Sequence, residues 1–386
     1  MAQRRRGVFF LGLAFAAMGV ALFIQMGLNA NYVAQELGLS GTQQGFLEAA
    51  RESCGIFAFG LLALMAGLAE PLVGAAVLVL YAVGISGYAF VHQYSGVILM
   101  SMVWSQGLHI WMPLPNSMAL SLAEPGRAGH RLGQMQAAGA IGSFLGLGGA
   151  LVLVLAKLPI RPIYFVAGGA ALVAAAACLA IPRNIKTPGQ RLVFRRRYGL
   201  YYCLCFLDGW RKQIFLAFAG FLLVKRHGTS LTVMLTLWCI VQAISYITAP
   251  RVGRLIDRIG ERKILIFYFS SLIAVFAGYA LVGNKYILYG LFVMDSAFFV
   301  FAQALTTYVG RIAPPSEHTS TLSMGVAMNH VASVSMPLLG GLVWKYDYRL
   351  TFLLGAAAAV GSIFVAMKLP KKPQMAEARE IDQPAG

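Results

Sequence analysis

Three ionisable side chains, Asp208, Arg211 and Lys212, sit inside an apolar stretch over residues 198–225. At 1.5 Å per helical residue, about 20 apolar residues cover a hydrocarbon core of roughly 30 Å. Asp208 then falls near the midplane, with Arg211 and Lys212 a turn beyond. A charge at that depth costs from about 2.5 to more than 10 kcal/mol, so such groups face a partner or a water-filled cavity. Tyr201, Cys205, Asp208 and Lys212 follow one another at helical spacing and form a stripe, with Arg211 beside it. Such a cluster has two uses. Arg211 and Lys212 attract an acidic solute while Asp208 pairs with them or carries a proton; or the three neutralise one another and link helices, with Asp208 and Lys212 paired at i and i+4. One acid does not neutralise two bases, so a second anion is required, and Asp295 can supply it.

Asp295 begins a second stripe with Phe299, Gln303 and Thr306. Ser105, His109, Met112 and Asn116 share that periodicity, and Gln25 and Asn29 form a shorter one. His109, and His330 next to Asn329, each suit either a hydrogen-bonded packing role or proton transfer. Glu48, Arg51 and Glu52 are placed either for an entrance salt bridge or for a protonation site at Glu48 or Glu52, since carboxylates buried in unequal surroundings are where proton affinity shifts. The embedded charges are three basic (Arg51, Arg211, Lys212) and four acidic (Glu48, Glu52, Asp208, Asp295). Pairing therefore leaves one acid able to titrate.

These residues need spanning helices to position them. The chain has 386 residues, 59% apolar and 12% charged, with a mean hydropathy of +0.71. Soluble domains carry about a quarter charged residues, so a soluble globule is excluded. The net charge of +17 sits mostly in short segments between apolar runs, a pattern of membrane orientation rather than nucleic-acid binding. Five cysteines lie in apolar segments without metal or redox spacing, so neither disulfides nor a metal site is expected. No phosphate loop, zinc motif or nucleophile elbow occurs, and no segment outside the apolar runs is long enough for a catalytic domain. An enzyme, a cofactor and a nucleotide-driven pump are thereby excluded.

Apolar stretches at 8–30, 43–67, 72–92, 95–120, 132–157, 160–181, 198–224, 231–250, 264–283, 286–311, 320–344 and 349–369 predict twelve spanning helices. The first follows Arg4, Arg5 and Arg6 but is too long for a signal peptide. With a cytoplasmic amino terminus, 21 of the 31 Lys and Arg fall on the cytoplasmic side and 7 on the other. The positive-inside rule then puts both termini in the cytoplasm. The predicted organisation is a six-helix bundle over 1–181, a basic linker over 182–197 containing Pro188 and Gly189, a second bundle over 198–370, and a tail over 371–386.

The halves repeat. An offset of 191 carries Arg4-Arg5-Arg6 onto Arg195-Arg196-Arg197, Gly87-Tyr88-Ala89 onto Gly278-Tyr279-Ala280, and Gly149 onto Gly340. Six crossings return the chain to its starting side, so the repeat is parallel, with its axis along the membrane normal. Over its full length the chain resembles the major facilitator superfamily. The most specific match is Gly253-Arg254-Leu255-Ile256-Asp257-Arg258-Ile259-Gly260-Glu261-Arg262-Lys263, which is similar to that family's cytoplasmic Gly-x-Leu-x-Asp-Arg-x-Gly-Arg-Arg signature, with Glu261 at a basic position. The corresponding first-half loop has Ala66 where Asp257 sits, and Glu70 as its one charge. Gly139, Gly142, Gly146, Gly148 and Gly149 partly resemble the family's antiporter motif without its proline and are read as close helix packing.

The resemblance implies an all-α membrane protein of twelve transmembrane helices in two six-helix halves, with the first, fourth, seventh and tenth helices lining the central path. It also implies a gate in which Asp257 pairs with the surrounding Arg254, Arg258 and Arg262 around Gly253 and Gly260. The function expected is secondary active transport by alternating access in the plasma (inner) membrane, by a monomer coupled to protons through Asp208, Asp295, Glu48 or Glu52. The solute expected is a small organic anion or zwitterion, met by Arg211, Lys212, Tyr201, Gln25, Asn29, His109, Asn116, Gln303 and Asn329. Efflux of hydrophobic drugs is the nearest alternative, and a non-transporting sensor or scaffold with the same fold is a third.

Overall fold

Apolar segments in lipid must satisfy every backbone N–H and C=O internally, and a single chain segment does so as a helix. A computed structural model, which describes residues 2–124, 127–187, 194–314 and 317–370, is helical throughout its spans. The helices are α1 (Ala2–Asn31), α2 (Gly41–Leu64), α3 (Glu70–Gly87), α4 (Tyr94–Trp111), α5 (Leu114–Ser121), α6 (Ala128–Leu155), α7 (Ile160–Leu179), α8 (Gly199–Ile214), α9 (Gly220–Lys225), α10 (Leu231–Ile259), α11 (Glu261–Leu281), α12 (Lys285–Phe298), α13 (Gln303–Ile312), α14 (His318–Trp344) and α15 (Tyr348–Met367).

They make twelve passes, three of which are built from two helices each. Pro113 and Pro115 break the fourth pass between α4 and α5. A π-helical turn over Phe215–Ala219 joins α8 to α9, and a 3-10 turn over Phe299–Ala302 joins α12 to α13. Among the described residues, ten helical runs are long and apolar enough to cross a membrane on composition alone. The other two passes are α2, with Glu48, Arg51 and Glu52, and α8–α9, with Asp208, Arg211 and Lys212. They fall short because they carry the charges.

Two units divide the chain: residues 1–39, 50–190 and 224–242, and residues 40–49, 191–223 and 243–386. In the first, α6 lies against α1. A methyl group on Gly142 would overlap the carbonyl of Ala16, and one on Gly146 would meet that of Val20 at 2.6 Å. A methyl group on Gly148 or Gly149 would meet no other part of the protein within 4 Å, so close packing accounts for only part of the glycine run. The loop after α2 is held by the linker: Ala69 and Lys186 form an antiparallel bridge, with Thr187 N donating to Leu68 O at 2.9 Å and Glu70 N to Ile185 O at 2.9 Å. Pro188, Gly189 and the tail over 371–386 lie outside the described residues.

In the second unit α10 stays helical as far as Ile259, so the stretch expected as a loop from Gly253 onward is helix, interrupted at Gly260 alone (φ +83°). Only glycine adopts that backbone without strain. Ahead of α8, Arg195 Nε reaches Glu317 at 3.3 Å, Arg197 also contacts that carboxylate, and Tyr198 donates to it at 2.7 Å. The Arg197 hydrogen bond, followed by that of Tyr198, holds the Glu317 carboxyl below its ordinary value of 4.5. A carboxylate depressed on folding adds stability that is complete above its unfolded value and is lost as pH falls through its folded value. Thermal melts at stepwise lower pH are therefore expected to decline more steeply below pH 4.5 in the wild type than in Glu317→Gln.

Candidate functional site

Helical spacing of three residues puts Asp208 and Arg211 on one face of α8. Arg211 Nε and Nη2 donate to Asp208 Oδ1 at 3.3 and 3.4 Å. Asp295, brought in by α12, lies 3.5 Å from Arg211 Nη1. Tyr268 of α11 donates its hydroxyl to Asp208 Oδ1 at 2.9 Å. The guanidinium is enclosed by aromatic faces, its Cζ 5.0 Å from the Tyr268 ring centre and 4.1 Å from that of Phe299. Arg211 and Asp295 are both 0% exposed. One guanidinium thus balances one of two carboxylates, and neither oxygen of Asp295 has a hydrogen-bond partner. An unbalanced buried charge is worth several kcal/mol, and a proton on the cluster removes it.

The expected alliance of Arg211 with Lys212 is not formed. Arg211 turns into the helix packing, while Lys212, half-buried, points to α14 and donates to Asn329 Oδ1 at 2.7 Å. Asn329 Nδ2 in turn donates to the Cys205 carbonyl at 3.3 Å. A side chain at Gly209 would come within 2.6 Å of the Asn329 carbonyl, so this glycine permits the close approach of α14. Tyr201 packs on the same helix, against Gly325. Asp208 meets Arg211 rather than Lys212, and among the described residues no carboxylate lies within ion-pair distance of Lys212.

The stripe from Asp295 to Gln303 is also broken. The 3-10 turn over Phe299–Ala302 winds at three residues per turn and shifts the register. Asp295 is enclosed, whereas Gln303 and Thr306 are exposed. Asn116 is likewise separated from His109 by the proline break, and is exposed. Glu48 accepts from Gln44 Nε2 at 3.1 Å, and the same amide donates to the Ala217 carbonyl at 3.0 Å.

In the first unit, Arg51 Nε lies 3.9 Å from Glu52 and its guanidinium 5.4 Å from the Trp104 ring centre. Ser105 donates to the Arg51 carbonyl at 2.7 Å and touches His109 Nδ1 at 3.1 Å. A Glu52 oxygen and a His109 ring nitrogen lie within 4.8 Å of each other. Gln25 donates to Asn29 at 3.2 Å. Around His109 this unit thus offers polar groups and the Arg51–Glu52 ion pair.

At the signature segment, Asp257, Arg254, Arg258 and Arg262 make no ion pair among the described residues. The pair present there is Glu261 with Arg311, Oε1 to Nε at 2.7 Å. Glu261, the departure from the family pattern, is thus paired with an arginine outside the segment, and the expected contacts of Asp257 with its neighbouring arginines are not formed among the described residues. It also has a twin: the 191 offset carries Glu70 onto Glu261, each the first residue of its helix and each buried. That correspondence was available in the repeat. No sequence pattern marked Tyr268 or Phe299, which lie in apolar runs like any core aromatic.

A sequence profile described as Major Facilitator Superfamily matches residues 9–307 and 201–385. Multidrug resistance protein MdtG of Proteus mirabilis (strain HI4320) is 31% identical over 130 residues, a match spanning 33% of this chain and 32% of that protein. Among solved structures, a variant of nucleoside transporter NupG superposes with a TM-score of 0.78 at 15% identity, covering 93% of this chain and 98% of the other. A D-xylose-proton symporter superposes with a TM-score of 0.75 at 13% identity, covering 97% and 100%. At these identities the structural likeness is one of fold.

Proposed function

Because the chain belongs to the major facilitator superfamily, and is a membrane transporter rather than an enzyme, we propose that it carries a small organic anion or zwitterion by alternating access, coupled to protons. The observation that carries this reading is Lys212. It is a cation deep in a spanning helix, held by the neutral Asn329, while the neighbouring Arg211 is already occupied by two carboxylates. A solute carboxylate or phosphate is the natural complement of a membrane-embedded cation that lacks an acidic partner. Asn329 fixes the ammonium without cancelling its charge. Tyr201, Gln25, Asn29, His109, Asn116 and Gln303 are candidate contacts for the neutral part of the solute.

Proton coupling rests on Asp295. Of the two carboxylates around Arg211 it is the one without hydrogen bonds, so it is the one whose charged form is least supported. Glu48 and Glu52 are secondary candidates. The test is uptake into proteoliposomes driven by a pH gradient: Asp295→Asn is expected to reduce accumulation to the level seen without a gradient while leaving solute exchange intact. Gradient-driven accumulation equal to wild type would remove Asp295 from the coupling step.

The Lys and Arg asymmetry supports cytoplasmic termini. Export of hydrophobic compounds is the second reading, supported by the 31% identity to a multidrug resistance protein over 130 residues.

A further inference from the structure

We propose that the second unit holds an anionic phospholipid by its headgroup, in a cavity of about 560 Å³ at the junction of α10 and α11. The walls are the end of α10, the start of α11, and the ends of α13 and α15. Four spanning helices end there on one membrane face, which sets the cavity at the level of lipid headgroups.

Its lining divides by chemistry. Arg258 and Lys263 are exposed and Arg262 half-buried, while Ile266 and Ile312, half-buried, and Leu369, buried, supply an apolar wall. None of the three cations has an ion-pair partner among the described residues, and Asp257 is the one unpaired acid in the lining, which leaves these four groups at a net +2. The remaining charges are Glu261 and Arg311, which neutralise each other at 2.7 Å. Gly260 places no side-chain cap on α11, so the first amides of that helix add to the attraction for an anion.

A free inorganic anion has no use for the apolar wall. A neutral lipid has no use for the cations. A phosphodiester carrying a glycerol and the first carbons of its acyl chains uses both, and basic pockets between spanning helices take such headgroups. The cavity volume lies in the range of small-ligand sites. The site is separate from the buried charges near the midplane, and its occupancy does not depend on which solute is carried.

The test titrates purified full-length protein, in a zwitterionic detergent, with phosphatidylglycerol, with phosphatidylcholine of the same acyl chains, or with glycerol 3-phosphate, and reads the melting temperature. Phosphatidylglycerol is expected to raise it saturably, at concentrations on the order of 100-fold below those of phosphatidylcholine, three basic groups contributing about fivefold each. Glycerol 3-phosphate is expected to leave it unchanged over the same range. Arg258→Gln/Arg262→Gln/Lys263→Gln is expected to abolish the preference, and Arg262→Gln alone to weaken it about fivefold, which keeps the test decisive where the triple variant does not fold. Arg251→Gln/Arg254→Gln removes two charges of α10 that lie outside the cavity lining and is expected to retain the preference. Equal responses to the two lipids, an equal response to glycerol 3-phosphate, or an unchanged preference in Arg262→Gln would overturn the assignment.

Discussion

Arg211→Met is expected to destabilise the purified protein by about 3–5 kcal/mol, the range for removing one partner of a buried charge pair. The guanidinium is 0% exposed, and without it two carboxylates face each other in the packing of α8 and α12. Removing all three charges in Arg211→Met/Asp208→Asn/Asp295→Asn is expected to restore most of the melting temperature, because well-packed neutral groups often do as well as a buried ion cluster. Thermal melts of the single and triple variants check this. A single variant that melts like wild type would mean that Arg211 is solvated and free to meet a solute.

Lys212→Gln is expected to behave in the opposite way. Its Nζ donates to one neutral group, Asn329 Oδ1, so the fold loses little, and a melting temperature close to wild type is anticipated. The loss appears in solute affinity, by about 2 kcal/mol or roughly 30-fold, the lower end of the cost of removing one partner of a charge pair at a recognition site. Asn329→Asp supplies an internal counter-ion to the same ammonium and is expected to weaken the anion comparably while keeping Lys212 in place. Equilibrium binding to both variants, beside their melts, separates the recognition role of Lys212 from the structural role of Arg211. Normal affinity in both would remove Lys212 from the site.

The contrast between these neighbours also marks what the sequence could convey. Twelve passes were legible because the need to satisfy backbone groups in lipid leaves one local solution, and the parallel repeat followed from a single offset. The charges of α8 were legible as costly. Their partition was not, because Arg211 and Lys212 are adjacent in sequence, and which neighbour each meets depends on the helices alongside. Asp295 was identified as the second anion on charge count alone. The stripe drawn from it to Gln303 failed because a 3-10 turn changes the register, and no proline or glycine within Phe299–Ala302 announces that turn. The signature segment was recognised by spacing, yet the ion pair found there among the described residues is made by Glu261, whose twin at Glu70 only the repeat reveals. Tyr268 and Phe299 shield Arg211 and carry no signal beyond apolarity.

The proposed encounter is between Lys212 and an acidic solute. It is tested most directly by a thermal-shift screen of wild type and Lys212→Gln against a panel of small carboxylates, phosphates and lipophilic cations, since a ligand of the folded state raises its melting temperature by mass action. The expected result is that at least one organic anion stabilises the wild type and has no effect on Lys212→Gln at the same concentration, while the lipophilic cations shift neither. Stabilisation of both proteins by lipophilic cations, with no response of the wild type to any anion, would contradict it and point to export of hydrophobic compounds.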